Sequence, residues 1–364
     1  MKKKLCVAAL AMNMVVGMMA GCGTSETSAD VAKTEQETVA SGAEAEEKSE
    51  TEADKVYKVA IIQYVDDASL NQIEKAVEAE LDKKGEELGV TFDYEDYVSN
   101  GQADQTLLMQ IAADLIADEV DIMIPIATPT AVVMQSATED LNIPIVFSAV
   151  SDPVGAGLVA SNDAPGANIT GTSDAINTEA IMNLIMTQNP DTQTIGLLYD
   201  KSQASSIGSI ADAKAYCDAN GISYVEKTGT TSAEVQAAAD ALVAEGVDAV
   251  FTPQDNTIMT AELAIFEKFT EAKIPHYTGA DSFALNGAFL GYGVNYEELG
   301  TKTADMVVDI LINGQEPSTM PVQTLADGII TVNTETAEAC GIDYSVLAPL
   351  GSSLIEVQTA AEFE

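Results

Sequence analysis

The sequence predicts an α/β fold of two domains with one architecture, each a parallel sheet covered by helices on both sides. Three observations carry this. From Val59 onward, short β-branched runs alternate with longer stretches whose apolar residues recur at helical spacing. Val120 to Ile126 is a nearly continuous apolar run, the mark of a strand buried on both faces. Finally, Leu115-Ile116-Ala117-Asp118-Glu119-Val120-Asp121 aligns without a gap with Leu242-Val243-Ala244-Glu245-Gly246-Val247-Asp248. Each segment leads into an apolar strand, a proline (Pro125, Pro253) and a helix start.

The elements follow in order. Val59 to Ile62 reads as a strand, and Leu70, Ile73, Val77 and Leu81 mark the helix after it. Phe92 to Tyr97 is a strand, and Leu107, Leu108, Ile111, Leu115 and Ile116 define a second helix. The strand 120–126 comes next, then a helix after Pro129 and a strand over Ile143 to Ala149. The second series opens with a strand at Ile195 to Tyr199 and a helix over Ile207 to Ala219, stopped by Asn220-Gly221. A strand at Tyr224, a helix over Val235 to Ala244 and a strand over Val247 to Phe251 continue it.

The N-terminus is of another kind. Lys2, Lys3 and Lys4 precede an apolar stretch from Leu5 to Met19, then Ala20, Gly21 and Cys22. A basic head, an apolar core and small residues before a cut site are a secretory signal. Small residues running directly into cysteine form a lipobox, in which Cys22 takes the lipid and becomes the new N-terminus. The apolar run, interrupted by Asn13, falls short of the about 20 residues a membrane span needs. Residues 1–21 are therefore expected to be a lipoprotein signal peptide. Residues 22–55, rich in Ser, Thr, Ala and Glu, are expected to be a lipidated, solvated acidic tether, since they cannot bury enough apolar surface to offset their chain entropy. The mature chain should sit on the outer face of the cytoplasmic membrane.

Charge excludes several functions. The 364 residues hold 58 acids against 16 bases, every base a lysine, for a net charge of −42. Nucleic acid, bound through basic side chains, is disfavoured. Without arginine there is no bidentate fork for an anion, so a ligand carboxylate must be held by backbone N–H groups, hydroxyls or lysine. After Cys6 and Cys22, only Cys217 and Cys340 remain; an oxidising exterior would let them pair, but two thiols carry no spacing information, and unpaired thiols are the favoured reading. The single His276, after Ile274-Pro275 at a strand start, reads as structural rather than as a metal ligand. No phosphate-cradling loop, metal cluster or Ser-His-Asp set is apparent, so a binding protein without cofactor or metal is expected rather than an enzyme.

In open parallel sheets, ligands sit beyond the carboxyl ends of the strands. Those ends are polar here. Ala127-Thr128-Pro129-Thr130 reads as an N-cap threonine, a proline at the first helical position and a second hydroxyl, a terminus that can hold an anion without arginine. Ser148-Ala149-Val150-Ser151-Asp152-Pro153 follows the strand ending at Phe147. The second domain offers Asp200-Lys201-Ser202, Ser205-Ser206, Gln254-Asp255-Asn256-Thr257 and Gly279-Ala280-Asp281-Ser282. Hydroxyls on one side and carboxylates or amides on the other suit a zwitterion. Micromolar affinity needs about 8 kcal/mol, far more than a helix terminus supplies, so an aromatic lining is expected as well. Tyr64, Phe147, Tyr199, Phe251, Phe283 and Tyr292 lie at or near strand ends.

These same segments resemble a family of ABC-transporter substrate-binding lipoproteins for aromatic amino acids. The resemblance is carried by Ile61-Ile62-Gln63, Ala127-Thr128-Pro129-Thr130-Ala131, Ile143 to Val154, Gly155-Ala156-Gly157-Leu158-Val159, Asn168-Ile169-Thr170-Gly171, Asp255-Asn256-Thr257 and Gly293 to Gly300, and runs from about Val56 to Cys340. It implies two Rossmann-like lobes in the type I periplasmic-binding-protein architecture, joined by three hinge crossings and closing on ligand. Lobe I would be 56–173 with 290–317, and lobe II 174–289 with 318–364. The implied ligand contacts are Thr128, Thr130, Ser148, Asp152, Ser206, Asn256 and Asp281; Tyr64, as a strand-end aromatic, is a further candidate for the pocket lining. Where the family often has Asn and His, this chain has Ser205 and the Tyr64-Val65-Asp66-Asp67 run, so the side-chain end of the pocket should differ.

Thr128, Thr130, Ser206 and nearby N–H groups are expected to hold the carboxylate of Tyr, Phe or Trp, and Asn256, Asp281 and Asp152 the ammonium. The expected partners are this ligand, a membrane permease and the lipid anchor, with the chain acting as a monomer. The alternatives are another neutral metabolite such as a sugar or nucleoside, or a sensing or surface-interaction role.

Overall fold

The computed structural model describes residues 55–325 and 328–360. The expected signal peptide, Cys22 and all but the last residue of the tether lie outside them. Among the described residues no helix is long and apolar enough to cross a membrane.

The chain runs β1 (Val56–Gln63), α1 (Ala68–Leu88), β2 (Thr91–Asp93), β3 (Val98–Asn100), α2 (Gln105–Ala117), β4 (Ile122–Ile126), α3 (Thr128–Ala137), β5 (Ile145–Phe147) and β6 (Ile169–Ser173). It continues through α4 (Thr178–Gln188), β7 (Thr194–Tyr199), α5 (Ala204–Asn220), β8 (Ser223–Thr228), α6 (Ser232–Glu245), β9 (Ala249–Thr252), α7 (Asn256–Ala261), α8 (Phe266–Glu271), β10 (His276–Thr278), α9 (Asp281–Leu285) and β11 (Leu290–Gly293). It ends with α10 (Tyr296–Leu311), β12 (Gln323–Thr324), β13 (Ile329–Asn333), α11 (Thr334–Cys340) and β14 (Ser353–Val357).

Two sheets result. The first has the order β12-β6-β5-β4-β1-β2 with β3 also on β1, and all its pairings are parallel. The second has the order β14-β13-β11-β10-β9-β7-β8, with one antiparallel pair, β11 on β13. Helices cover both faces of each, so β1, β4 and β9 are buried throughout their central residues, which is why they read as apolar runs. The matching segments found in the sequence occupy equivalent places, the α2–β4 and α6–β9 junctions.

Three expectations change. The strand expected over Phe92 to Tyr97 is two strands, because β2 pairs with Val56–Lys58 and β3 with Ile61–Gln63. Between them the chain turns, and the Tyr97 N–H donates to the Tyr94 carbonyl at 2.8 Å. The lobe boundaries also move. β11 lies in the second sheet between β10 and β13, and β12 lies in the first sheet beside β6. The crossings therefore follow Ser173, Gly293 and Leu325, so lobe I takes 294–325 rather than 290–317 and lobe II takes 174–293 and the chain from 328 onward. Last, Thr128 is the first residue of α3 rather than its cap. That place belongs to Ala127, at a φ of 77°, whose methyl side chain has no acceptor with which to cap the helix.

Lobe I tolerates little change at Gly171 in β6. Its φ is +156°, and an added Cβ would lie 2.0 Å from the Phe147 carbonyl oxygen on β5. Gly171→Ala should cost about 3 kcal/mol or more, since backbone cannot yield as a flexible side chain does. A urea midpoint unchanged from wild type would contradict this packing.

Candidate functional site

The carboxyl ends of β1, β4 and β5 in lobe I face those of β9 and β10 in lobe II. A small chamber of about 30 Å³ lies between them. Lobe I contributes Asp67, Ser69, Thr128 and Ser151, with Tyr296 from α10; lobe II contributes Gln254, Asp255, Asn256 and Phe283, and Asp174 comes from the first crossing. An outer cleft of about 550 Å³ shares Thr128 with it. One wall of that cleft is largely apolar, with Tyr64, Leu108, Pro129, Val132 and Val133; the other is polar, with Asp200, Ser202, Gln203, Thr230 and Thr257.

Local structure sets each group. Asp67 caps α1, its Oδ1 accepting from the N–H of Ser69 (2.9 Å) and of Leu70 (3.3 Å). Asp255 caps α7 through the N–H groups of Thr257 and Ile258, both at 3.0 Å. Its other oxygen accepts from the Asp200 N–H and the Ser206 hydroxyl, both at 2.7 Å. Gln254 donates from Nε2 to the Asp174 carbonyl at 2.5 Å.

The chamber is acidic and carries unused hydrogen-bonding capacity. Burial pushes the Asp67 carboxyl up to about 7, and those of Asp174 and Asp255 to about 6. Among the described residues no lysine acts on any of the three. Tyr296 is held well above its ordinary value by burial and by the neighbouring carboxylates Asp174, Asp281 and Asp67. Two lining atoms, Thr128 Oγ1 and Gln254 Oε1, are buried and have no hydrogen-bond partner among the described residues. Buried polar atoms are normally satisfied, so these two are available to a guest. Carboxylates without a cation accept an ammonium, and a free hydroxyl beside a helix start can donate to an anion.

The structure sorts the residues expected from sequence. Thr128 and Asn256 line the chamber, and Tyr64 lines the outer cleft. Thr130 is fully buried, its Oγ1 also without a partner among the described residues. Ser148 lies inside lobe I in a hydroxyl cluster with Thr172 (3.2 Å) and Thr303 (2.9 Å). Ser206 is committed to Asp255, and Asp152 caps its own loop by accepting from the Gly155 N–H at 2.8 Å. Asp281 accepts across the cleft from the Ser69 hydroxyl and, at 3.4 Å, from Gln72 Nε2, so both its oxygens engage lobe I. Of the six aromatics, Phe283 lines the chamber, while Phe147 and Phe251 are core. His276, by contrast, is bound to Glu262 (3.0 Å) and Thr252 (2.8 Å) inside lobe II, and among the described residues Cys217 and Cys340 form no disulfide.

Ser69, Asp174 and Tyr296 are not among the residues that sequence reasoning singles out, and Asp67 enters there only as part of the Tyr64–Asp67 run. Asp67 and Ser69 follow β1, so the rule that ligands sit beyond strand ends points to them too. Asp174 and Tyr296 lie just past two of the crossings, and only the tertiary fold brings them to the chamber.

Two sheet-and-helix lobes, joined by three crossings and opening on a polar cleft at their strand ends, define a type I periplasmic binding protein. The chain matches the model of ABC transporter substrate binding proteins over residues 58–347 and belongs to that family. It is 32% identical over 295 residues to a tyrosine-binding protein of Clostridioides difficile (strain R20291), covering 80% of this chain and 83% of that one. Among solved structures it resembles an ABC domain from Streptococcus pneumonia in complex with L-Trp (28% identity, TM-score 0.76, 83% of this chain and all of that one). It also resembles the ligand-free, open structure of a substrate binding protein with adhesive properties from Clostridium difficile (34% identity, TM-score 0.64, 84% of this chain and all of that one).

Proposed function

We propose that this protein captures an aromatic amino acid between its lobes and delivers it to an ABC permease, as a non-catalytic lipoprotein held outside the cytoplasmic membrane through Cys22. The observation that carries the reading is the chamber itself: three buried carboxylates on which no lysine among the described residues acts, beside Thr128 Oγ1 and Gln254 Oε1, which have no partner among those residues. The related tyrosine-binding protein and tryptophan complex support the choice of ligand class. Thr128 and the N–H groups opening α3 hold the ligand carboxylate, with Thr130 behind them. Gln254 Oε1, Asp174 and Asn256 hold the ammonium. A chamber of about 30 Å³ has the volume of one water, so the lobes part to admit the amino acid. The outer cleft, at about 550 Å³, is within the usual size of ligand pockets and takes the ring against Tyr64, Pro129 and Val133. Ser148, Ser206, Asp152 and Asp281 act on the frame of the site.

Calorimetry decides between this and a neutral metabolite. Tyr, Phe or Trp should bind, and Thr128→Val should weaken binding by roughly tenfold to a hundredfold, the cost of about 1.5–3 kcal/mol for a hydrogen bond to a charged group. Binding of a sugar or nucleoside in place of every amino acid would overturn the reading. If Asn256→Ala bound as wild type does, its role at the ammonium would be wrong.

A further inference from the structure

The contact between the lobes is built from acids. Asp67 lies at the start of α1 in lobe I and Asp281 at the start of α9 in lobe II. Ser69 joins them: its hydroxyl donates to Asp281 Oδ1 and accepts from the Ser282 N–H at 3.1 Å. Gln72 adds a donor to the other Asp281 oxygen, and the Ser282 side chain adjoins Asp67. We propose that these groups form a proton-operated latch: the lobes close with uptake of a proton between Asp67 and Asp281, so acid favours closure and base relaxes it.

The physical reason is the surroundings of the pair. Closing brings two carboxylates together out of water, and each disfavours the charge of the other. The further ionisable groups are acidic or phenolic: Asp174 from the first crossing, Asp255 from the β9–α7 loop and Tyr296 from α10. The cations nearby are engaged elsewhere. Lys75 on α1 acts on Glu74 and Glu78, and Lys84 pairs with Glu80 and Asp305. His276 on β10, packed against Phe283 of α9, is bound to Glu262 and Thr252. Tyr292 of β11 turns toward Gly328 at the third crossing. Burial and the opposite carboxylate raise Asp67 to about 7, and burial raises Asp281 to about 6. In the open form both should return toward an ordinary carboxylate. The closed state therefore binds more protons, its advantage is present in mild acid, and it is lost as pH rises through about 7. This holds whichever ligand the cleft takes.

Small-angle scattering of the full, ligand-free chain tests the latch. The closed-to-open ratio should rise up to about tenfold per pH unit between pH 7 and 5, the slope of one proton taken up. Asp281→Asn keeps an acceptor for Ser69 but removes one charge; it should be more closed at pH 8 and lose most of the slope. Asp67→Asn keeps the helix cap and should do the same, and Ser69→Ala should open the lobes at both ends of the range. A wild-type profile unchanged between pH 8 and 5, or both Asn variants keeping the wild-type slope, overturns the proposal.

Discussion

Lowering the pH of the ligand-free protein from 8 to 5 raises its melting temperature, the reverse of ordinary acid destabilisation. Asp67, Asp174 and Asp255 are buried, and each is raised from about 4 to between about 6 and 7. A group whose folded value is raised binds its proton more tightly in the folded state. Its stabilisation is full below the unfolded value and lost as pH rises through the folded one. Down to pH 5 Asp67 gains about two units, about 3 kcal/mol, and Asp174 and Asp255 about one unit each, so the gain between pH 8 and 5 is expected to reach several kcal/mol, or at least ~5 °C. The net charge of −42 acts in the same direction, because protonation relieves repulsion in the compact state. Glu226, Glu234 and Asp343 are held below their usual values and oppose the trend only at lower pH. A calorimetric scan showing a flat or falling melting temperature from pH 8 to 5 would refute this account of the cleft.

Replacing Asp255 by alanine removes more than a charge. The substitution strips the cap from α7 and leaves the Asp200 N–H and the Ser206 hydroxyl buried without an acceptor. A cap is worth about 1 kcal/mol and each stranded buried donor about 1–3, so the loss should be roughly 3–5 kcal/mol. Ligand affinity should fall at least tenfold as well, since Gln254 and Asn256 flank the residue in the chamber. Asp255→Asn keeps cap and acceptor without the charge and should retain most of the stability. Denaturant titration alongside calorimetry reads both effects. An alanine variant of wild-type stability would show that Asp255 does not organise this loop.

Part of the site is legible in the chain's own pattern. Thr128 and Asn256 stand where the ends of β4 and β9 put them, and a run such as Ile122–Ile126 announces its strand because both faces are buried. Ser206 and Asp281 read equally well as ligand contacts, yet each spends its hydrogen bonds on a protein partner, 49 and 212 residues away in sequence. A polar residue at a strand end looks the same in sequence whether it faces a guest or a neighbour. The split of β2 from β3 is hidden for a related reason: pairing belongs to the partner strand, and β1 offers its edge to two segments in turn.

The sequence alone determined the alternating elements, the twin lobes, the acidic balance and the signal-like N-terminus, because periodicity, composition and order along the chain are local properties. Tertiary structure alone decided where the chain changes lobes and which acids share one chamber. It also decided which hydroxyls remain without partners. Those are consequences of distance in space, and Asp67, Asp174, Asp255 and Tyr296 become one acidic site only when three crossings bring four separate stretches of chain together.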